Sequence, residues 1–281
     1  MFRSLLLAAF LSAFVHAKIV VAVSVAPQAW LAREIGGDLI EAFPIAPPSA
    51  NAHTYEPKPA QMARLAKTSA YLACGVEFER IWLKRFEQNA PSMRVFHTDR
   101  NVTKLALTPL NREDRRGAID SHIWFSPSAM RSQAGAIVEA LGAVDPDNAE
   151  VYKKNGARAL AKIDEIDREI ASKLQPYKDR AFLIHHPALG YFANEYGLRQ
   201  LFIEFESREP KPSEIAALIK TAKDEKINVV FVERGVPSKS AESLAIAINA
   251  KTEPITIISE EWGDLMRDAA NSLIKAFDGG D

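Results

Sequence analysis

A single cysteine, Cys74, leaves the 281-residue chain without any intramolecular disulfide, so the fold must rest on its core. Cys74 lies in the apolar run of residues 70–75 and reads as a small buried hydrophobe rather than a nucleophile or ligand. Apolar runs of membrane-spanning length are lacking as well. The one candidate, residues 5–15, is short, follows Arg3 and leads to Val15-His16-Ala17. That pattern is a secretory signal, with cleavage expected after Ala17 and export to the periplasm. Residue 18 is Lys, not Cys, which argues against a lipid-anchored N-terminus. Charge of one sign is scarce too: without Arg3 the 35 basic residues become 34 against 36 acidic ones, a balance of −2. Such a surface argues against nucleic acid or an anionic membrane as the main partner.

The mature chain, residues 18–281, is long enough for two modest lobes. Short apolar strands alternate with amphipathic helices, the pattern of an α/β fold with parallel central sheets flanked by helices. Strands are expected at 18–25, 42–46, 70–75 and 94–98, and again at 181–185, 200–205, 228–233 and 255–258. Between the two sets, residues 145–174 carry Val151, Tyr152, Ala159, Leu160, Ile163, Ile166 and Ile170, with no Pro after Pro146 and only Gly156 as a weak point. A helix of about 25 residues would run roughly 38 Å, long enough to join two lobes. The expected organisation is a signal peptide at 1–17, an N-terminal α/β lobe at 18–144, a linking helix at 145–175 and a C-terminal α/β lobe at 176–281.

Histidine is sparse after the leader: His53, His97, His122, His185 and His186. His53 sits in a loop just after an expected strand, His122 immediately before a helix, and His186 at a strand end followed by Pro187. In parallel sheets, ligands gather at the carboxyl ends of strands. Three neutral imidazoles suit zinc at about 2.0–2.1 Å and leave a fourth tetrahedral position open. No two of them sit at the spacing of a helix-borne zinc motif such as H-E-x-x-H, so the fold would have to bring them together. Taken singly, each histidine is more often a capping or surface residue than a ligand.

Several stretches change that balance. His53-Thr54-Tyr55-Glu56-Pro57-Lys58-Pro59, Ala73-Cys74-Gly75-Val76-Glu77, Asp120-Ser121-His122-Ile123-Trp124-Phe125-Ser126-Pro127, His186-Pro187-Ala188-Leu189-Gly190-Tyr191-Phe192-Ala193, Tyr196-Gly197-Leu198, Glu209-Pro210-Lys211-Pro212-Ser213 and the strand at 229–233 occur in that order. Together they resemble the metal-binding solute receptors of ABC transporters, in the zinc-uptake (ZnuA-like) branch of the TroA-like superfamily, over nearly the whole mature chain. The resemblance implies two α/β lobes joined by one long helix, a divalent ion in the interlobe cleft, and His53, His122 and His186 as its ligands. It also implies delivery to a membrane permease; a monomeric receptor, not an enzyme, is expected. Zinc is expected before manganese, because three imidazoles favour it and manganese sites are richer in carboxylates.

The sequence departs from that pattern at the fourth ligand. Anchored on Trp262, the family's Asp falls on about Thr256, a poor donor; Glu260 and Glu261 lie nearby at a helix start, and water is a further option. The 105–119 loop lacks the His-rich insertion of many zinc receptors. His185 is an extra neighbour, expected on the opposite strand face from His186. The alternatives are a manganese or iron receptor of the same superfamily, or a secreted zinc hydrolase with Glu56, Glu206 or Glu233 as general base. An adhesion or scaffolding role has less support, since Trp30, Trp82, Trp124 and Trp262 read as core or cleft packing.

Overall fold

The computed structural model describes residues 18–48, 50, 52–107, 118–205, 208 and 211–279. The expected leader, most of the 105–119 loop, Glu206 and the start of the 209–213 motif lie outside them. The chain begins with β1 (Ile19–Val25), α1 (Ala26–Gly36), β2 (Ile40–Ala46), α2 (Pro59–Leu65), β3 (Ala70–Ala73), α3 (Glu79–Asn89) and β4 (Arg94–His97). Next come α4 (Pro127–Val144), α5 (Ala149–Leu174), β5 (Ala181–Ile184), α6 (Gly190–Tyr196) and β6 (Arg199–Phe202). The last part holds α7 (Pro212–Asp224), β7 (Val229–Glu233), α8 (Lys239–Ile248), β8 (Lys251–Ile255) and α9 (Trp262–Phe277). Two four-stranded parallel sheets result, in the orders β2-β1-β3-β4 and β6-β5-β7-β8. The orders are equivalent, so each sheet has its topological switch point beside its first strand, between β1 and β3 or between β5 and β7.

The strand sequences explain this arrangement. From Val21 on, β1 is buried on both faces, as a central strand covered by helices on each side must be. In β5 the alternation separates two cores. Phe182 and Ile184 join the large core shared with α5, α9 and the first lobe, while Ala181 and Leu183 pack with residues of α7 and α8 in a smaller one. β8 forms at residues 251–255 rather than 255–258. Pairing with β7 sets its register, Val229 against Lys251 through Glu233 against Ile255, at a sheet edge where Pro254 is tolerated. The apolar pair Ile257 and Ile258 packs into the core beyond the strand end.

The joining helix α5 runs 26 residues after a 3-10 turn at Pro146–Asn148. Tyr152, Gly156, Ala159, Ile163, Ile166, Ile170 and Leu174 bury one stripe at three- and four-residue spacing. Gly156, a weak point by propensity, is a packing requirement here: a Cβ there would meet Val138 Cγ2 at 2.5 Å. α5 lies on α1 and α4 of the first lobe and on α9 of the second. Asn155 Nδ2 donates to the Ile35 carbonyl at 2.9 Å, and Arg267 of α9 pairs with Glu169 at 2.8 Å.

A tryptophan chain ties the lobes near their cleft. The rings of Trp30 on α1 and Trp262 on α9 lie 5.2 Å apart. Trp262 Nε1–H donates to the Trp124 carbonyl at 2.6 Å, and Trp124 Nε1–H donates to the Ile257 carbonyl at 2.9 Å. Trp262 is completely buried. Its replacement by alanine removes a large buried ring and strands the Trp124 carbonyl, so Trp262→Ala is expected to cost about 3–5 kcal/mol of stability. Urea denaturation followed by circular dichroism measures this; a variant as stable as the parent would remove Trp262 from the interlobe tie.

Candidate metal centre

Three different local devices deliver three imidazoles to one point. His53 lies in the segment after β2, at the carboxyl edge of the first sheet. His122 precedes a 3-10 turn, Ile123–Phe125, that leads into α4, whose first turn is capped by Ser126 Oγ accepting from the Ala129 N–H at 2.9 Å. Asp120 pins His122 twice: one carboxylate oxygen accepts from the His122 backbone N–H at 2.9 Å and faces its Nδ1 at 2.8 Å. His186 follows β5 in the bend before α6, where Gly190 comes so near Asp120 that a Cβ there would lie 2.4 Å from its Oδ2. The two lobes therefore meet closely right beside the histidines.

The Nε2 atoms of His53 and His186 are 3.0 Å apart, and those of His186 and His122 are 3.2 Å apart. One donor atom from each of the three lies within 4.8 Å of the others, and among the described residues they form the one such group of His, Cys, Asp and Glu. Donors on a tetrahedral ion with bonds of about 2.0–2.1 Å would sit roughly 3.3 Å from each other. Each ring also has a carboxylate at Nδ1: Glu77 for His53 at 2.9 Å, Asp120 for His122 at 2.8 Å and Glu204 for His186 at 3.4 Å. A carboxylate there holds the proton on Nδ1 and leaves the Nε2 lone pair facing inward. Three converging lone pairs repel one another unless a proton or a cation lies among them.

Electrostatics follow from these contacts. Burial alone would lower the His53 pKa, but the Glu77 hydrogen bond and charge outweigh it and raise the ring above the usual imidazole value. Burial likewise works against the Glu77 charge, yet His53 holds that carboxyl at about 2. For His186 burial dominates, and its pKa is lowered despite Glu204. Ser121 Oγ also donates to Glu77 at 3.0 Å, linking the His53 partner to the His122 segment.

The other residues singled out in the sequence fall elsewhere. Thr256 Oγ1 accepts from Arg234 Nε at 3.1 Å, Glu260 pairs with Arg33 at 3.3 Å, and Glu261 is an exposed residue at the start of α9. None belongs to the converging group. Glu56 is exposed, and His97 ends β4 exposed on the first sheet's edge. Cys74 is buried, which pushes its thiol pKa well up. β5 stops at Ile184, so strand alternation does not govern His185 and His186. Both approach the Glu204 carboxylate, His185 Nδ1 at 3.8 Å. The outer carboxylates Glu77, Asp120 and Glu204 were not expected as partners of the rings. Asp120 alone had a local signal, two residues before its histidine in a turn-forming segment.

Beside the rings a small space of about 20 Å³ is lined by His53, His122, His186, Trp124, Glu233, Ile257 and Ile258 together with Ala50 and Ala52. On the other side a larger cleft of about 660 Å³ opens, lined by the same histidines, Glu77, Arg80, Lys104 and Arg208 among others. Among the described residues no helix is long and apolar enough to cross a membrane.

Residues 21–276 match the family described as zinc-uptake complex component A, periplasmic. The high-affinity zinc uptake system protein ZnuA of Bacillus subtilis is 28% identical over 225 residues, covering 75% of this chain and 70% of its own length. The iron-binding protein YfeA of Yersinia pestis is 26% identical over 238 residues, 83% of this chain and 75% of that one. A crystal structure of ZnuA superposes with a TM-score of 0.86 at 33% identity, over 92% of this chain and 99% of its own. The two-lobe architecture, the converging imidazoles and the match along the chain lead to one conclusion: this chain belongs to the periplasmic zinc-uptake component A family, as a metal-binding receptor.

Proposed function

We propose that the protein captures a single divalent transition metal, zinc first, on Nε2 of His53, His122 and His186, and hands it to the membrane permease of an ABC transporter. On this reading the leader is removed after Ala17, residues 18–144 and 176–281 are the two lobes, and 145–175 link them. The observation that carries it is the set of three imidazoles whose Nδ1 atoms face carboxylates while their Nε2 atoms converge to 3.0 and 3.2 Å. An N₃ set of borderline donors favours zinc over manganese, which prefers more oxygen. The name of the Bacillus subtilis relative points the same way.

A receptor for iron or manganese is the second reading, favoured by the iron-binding Yersinia pestis relative. A zinc hydrolase has less behind it, since the match over residues 21–276 is to a zinc-uptake component and Glu56 is exposed. Metal content measured after purification without added metal, with competition titrations for zinc, manganese and iron(II), separates the first two. Saturable ester or peptide turnover that vanishes in His122→Ala would favour the hydrolase.

Loss of one ring leaves two donors and a carboxylate without the Nδ1–H that faced it. His53→Ala, His122→Ala and His186→Ala are each expected to weaken zinc by more than the 10–100-fold typical for removal of an outer partner. Equilibrium competition against a chelating dye reads this out, and unchanged affinity in all three would end the reading. Glu77→Gln keeps shape but removes the charge that orients His53, and it is expected to weaken zinc about 10–100-fold.

The pH dependence has a defined sign. Zinc needs neutral rings, so protons compete as pH falls. The raised pKa of His53 makes it the first of this pair to take a proton, while the lowered pKa of His186 keeps that ring neutral further down. Zinc affinity is therefore expected to decline from above the ordinary imidazole value of about 6.5 and continue downward. A flat titration between about pH 8 and about pH 5 would contradict it.

A further inference from the structure

We infer that Glu233 completes the cation site from the second lobe, its carboxylate accepting a hydrogen bond from a water that occupies the ion's fourth position. The inference rests on the three-histidine reading and extends it to the ligand position that the sequence leaves open at Thr256.

Topology puts Glu233 in place. It is the last residue of β7, which lies next to β5 in the sheet, and His186 follows β5. The pair thus flanks the switch point of the second sheet at its carboxyl edge, where a crevice is built by the fold itself. The space of about 20 Å³ beside the rings connects them: it is lined by all three histidines and by Glu233, and its remaining walls are Trp124, Ile257, Ile258, Ala50 and Ala52. Glu233 is the one carboxylate among the described residues lining it.

The surroundings leave that carboxylate without a structural task. Among the described residues its side chain accepts no hydrogen bond and makes no ion pair, in contrast to Glu77, Asp120 and Glu204, which each face a ring Nδ1. Burial raises its pKa while nearby His186 and His53 oppose the shift, so its charge is poorly served by the protein alone. A divalent ion among the rings would serve it.

Distance decides between direct and water-bridged contact. Glu233 is absent from the group whose donor atoms fall within 4.8 Å of one another, so its oxygens stand back from the Nε2 atoms. The intervening space is large enough for about one water, which needs roughly 10–15 Å³, and offers it polar partners in the ion and the carboxylate. A metal-bound water is a strong donor, and a carboxylate is its natural acceptor.

The test compares zinc affinity, cobalt(II) visible absorption and metal-free melting temperature in the parent, Glu233→Gln, Glu233→Ala and His122→Ala. Expected is a loss of zinc affinity of about 10–100-fold in Glu233→Gln and no less in Glu233→Ala, with altered cobalt bands and a metal-free melting temperature equal to the parent's or higher. Parental affinity and cobalt bands in both Glu233 variants would overturn the inference and leave the three-histidine reading standing. Lower affinity accompanied by a lower metal-free melting temperature would also overturn it, because that is the signature of a structural residue. Parental affinity in His122→Ala would instead refute the underlying reading.

Discussion

The convergence of three Nε2 lone pairs is the constraint around which this molecule is built. With no proton or cation among them, Nε2 lone pairs at 3.0 and 3.2 Å repel one another and favour turning the rings apart. The carboxylates of Glu77, Asp120 and Glu204 oppose this by facing the Nδ1 side of each ring. Those partners come from three separate segments: the turn after β3, the segment before α4 and the loop after β6. No single element could hold the set, so affinity for an ion depends on how firmly the lobes are held in register.

That firmness has visible sources. α5 lies along helices of both lobes, with Gly156 allowing close approach to α4 and Arg267 tying α9 to Glu169. Nearer the cleft, indole donors run from Trp262 to the Trp124 backbone and from Trp124 to Ile257. Ser126 and Ser128 at the start of α4 also meet Glu195 of α6, so the helix that follows His122 is anchored by the lobe that carries His186. A buried, directional tie of this kind limits sliding of the lobes more than apolar packing alone, because displaced donors would be left unpaired. The histidine cluster and the interlobe contact are thus one mechanical unit.

Reading the fold from the chain worked where patterns are local. Apolar strands alternating with amphipathic helices pointed to two parallel sheets, and the long stripe from Tyr152 to Ile170 pointed to the joining helix. β8 shows where it stopped working: the apolar Ile257 and Ile258 look like strand, but pairing with β7 selects Lys251 to Ile255 instead. His185 shows the same limit, since alternation was assumed through residues where β5 had already ended at Ile184.

At the histidine cluster, the sequence by itself determined the kind of candidate donor and its setting: imidazole nitrogens in loops at strand ends, with no thiolate set to compete and a poor residue where a fourth ligand was sought. Motif order along the chain was enough to single out His53, His122 and His186. Only the tertiary structure decided which carboxylates back those rings, and that Glu233 lines the space beside them while Thr256 is taken up by Arg234. The physical reason is that partners such as His53 and Glu77, or His186 and Glu204, are 24 and 18 residues apart on different strand ends. Which strand ends adjoin is set by sheet order, and no local periodicity records sheet order.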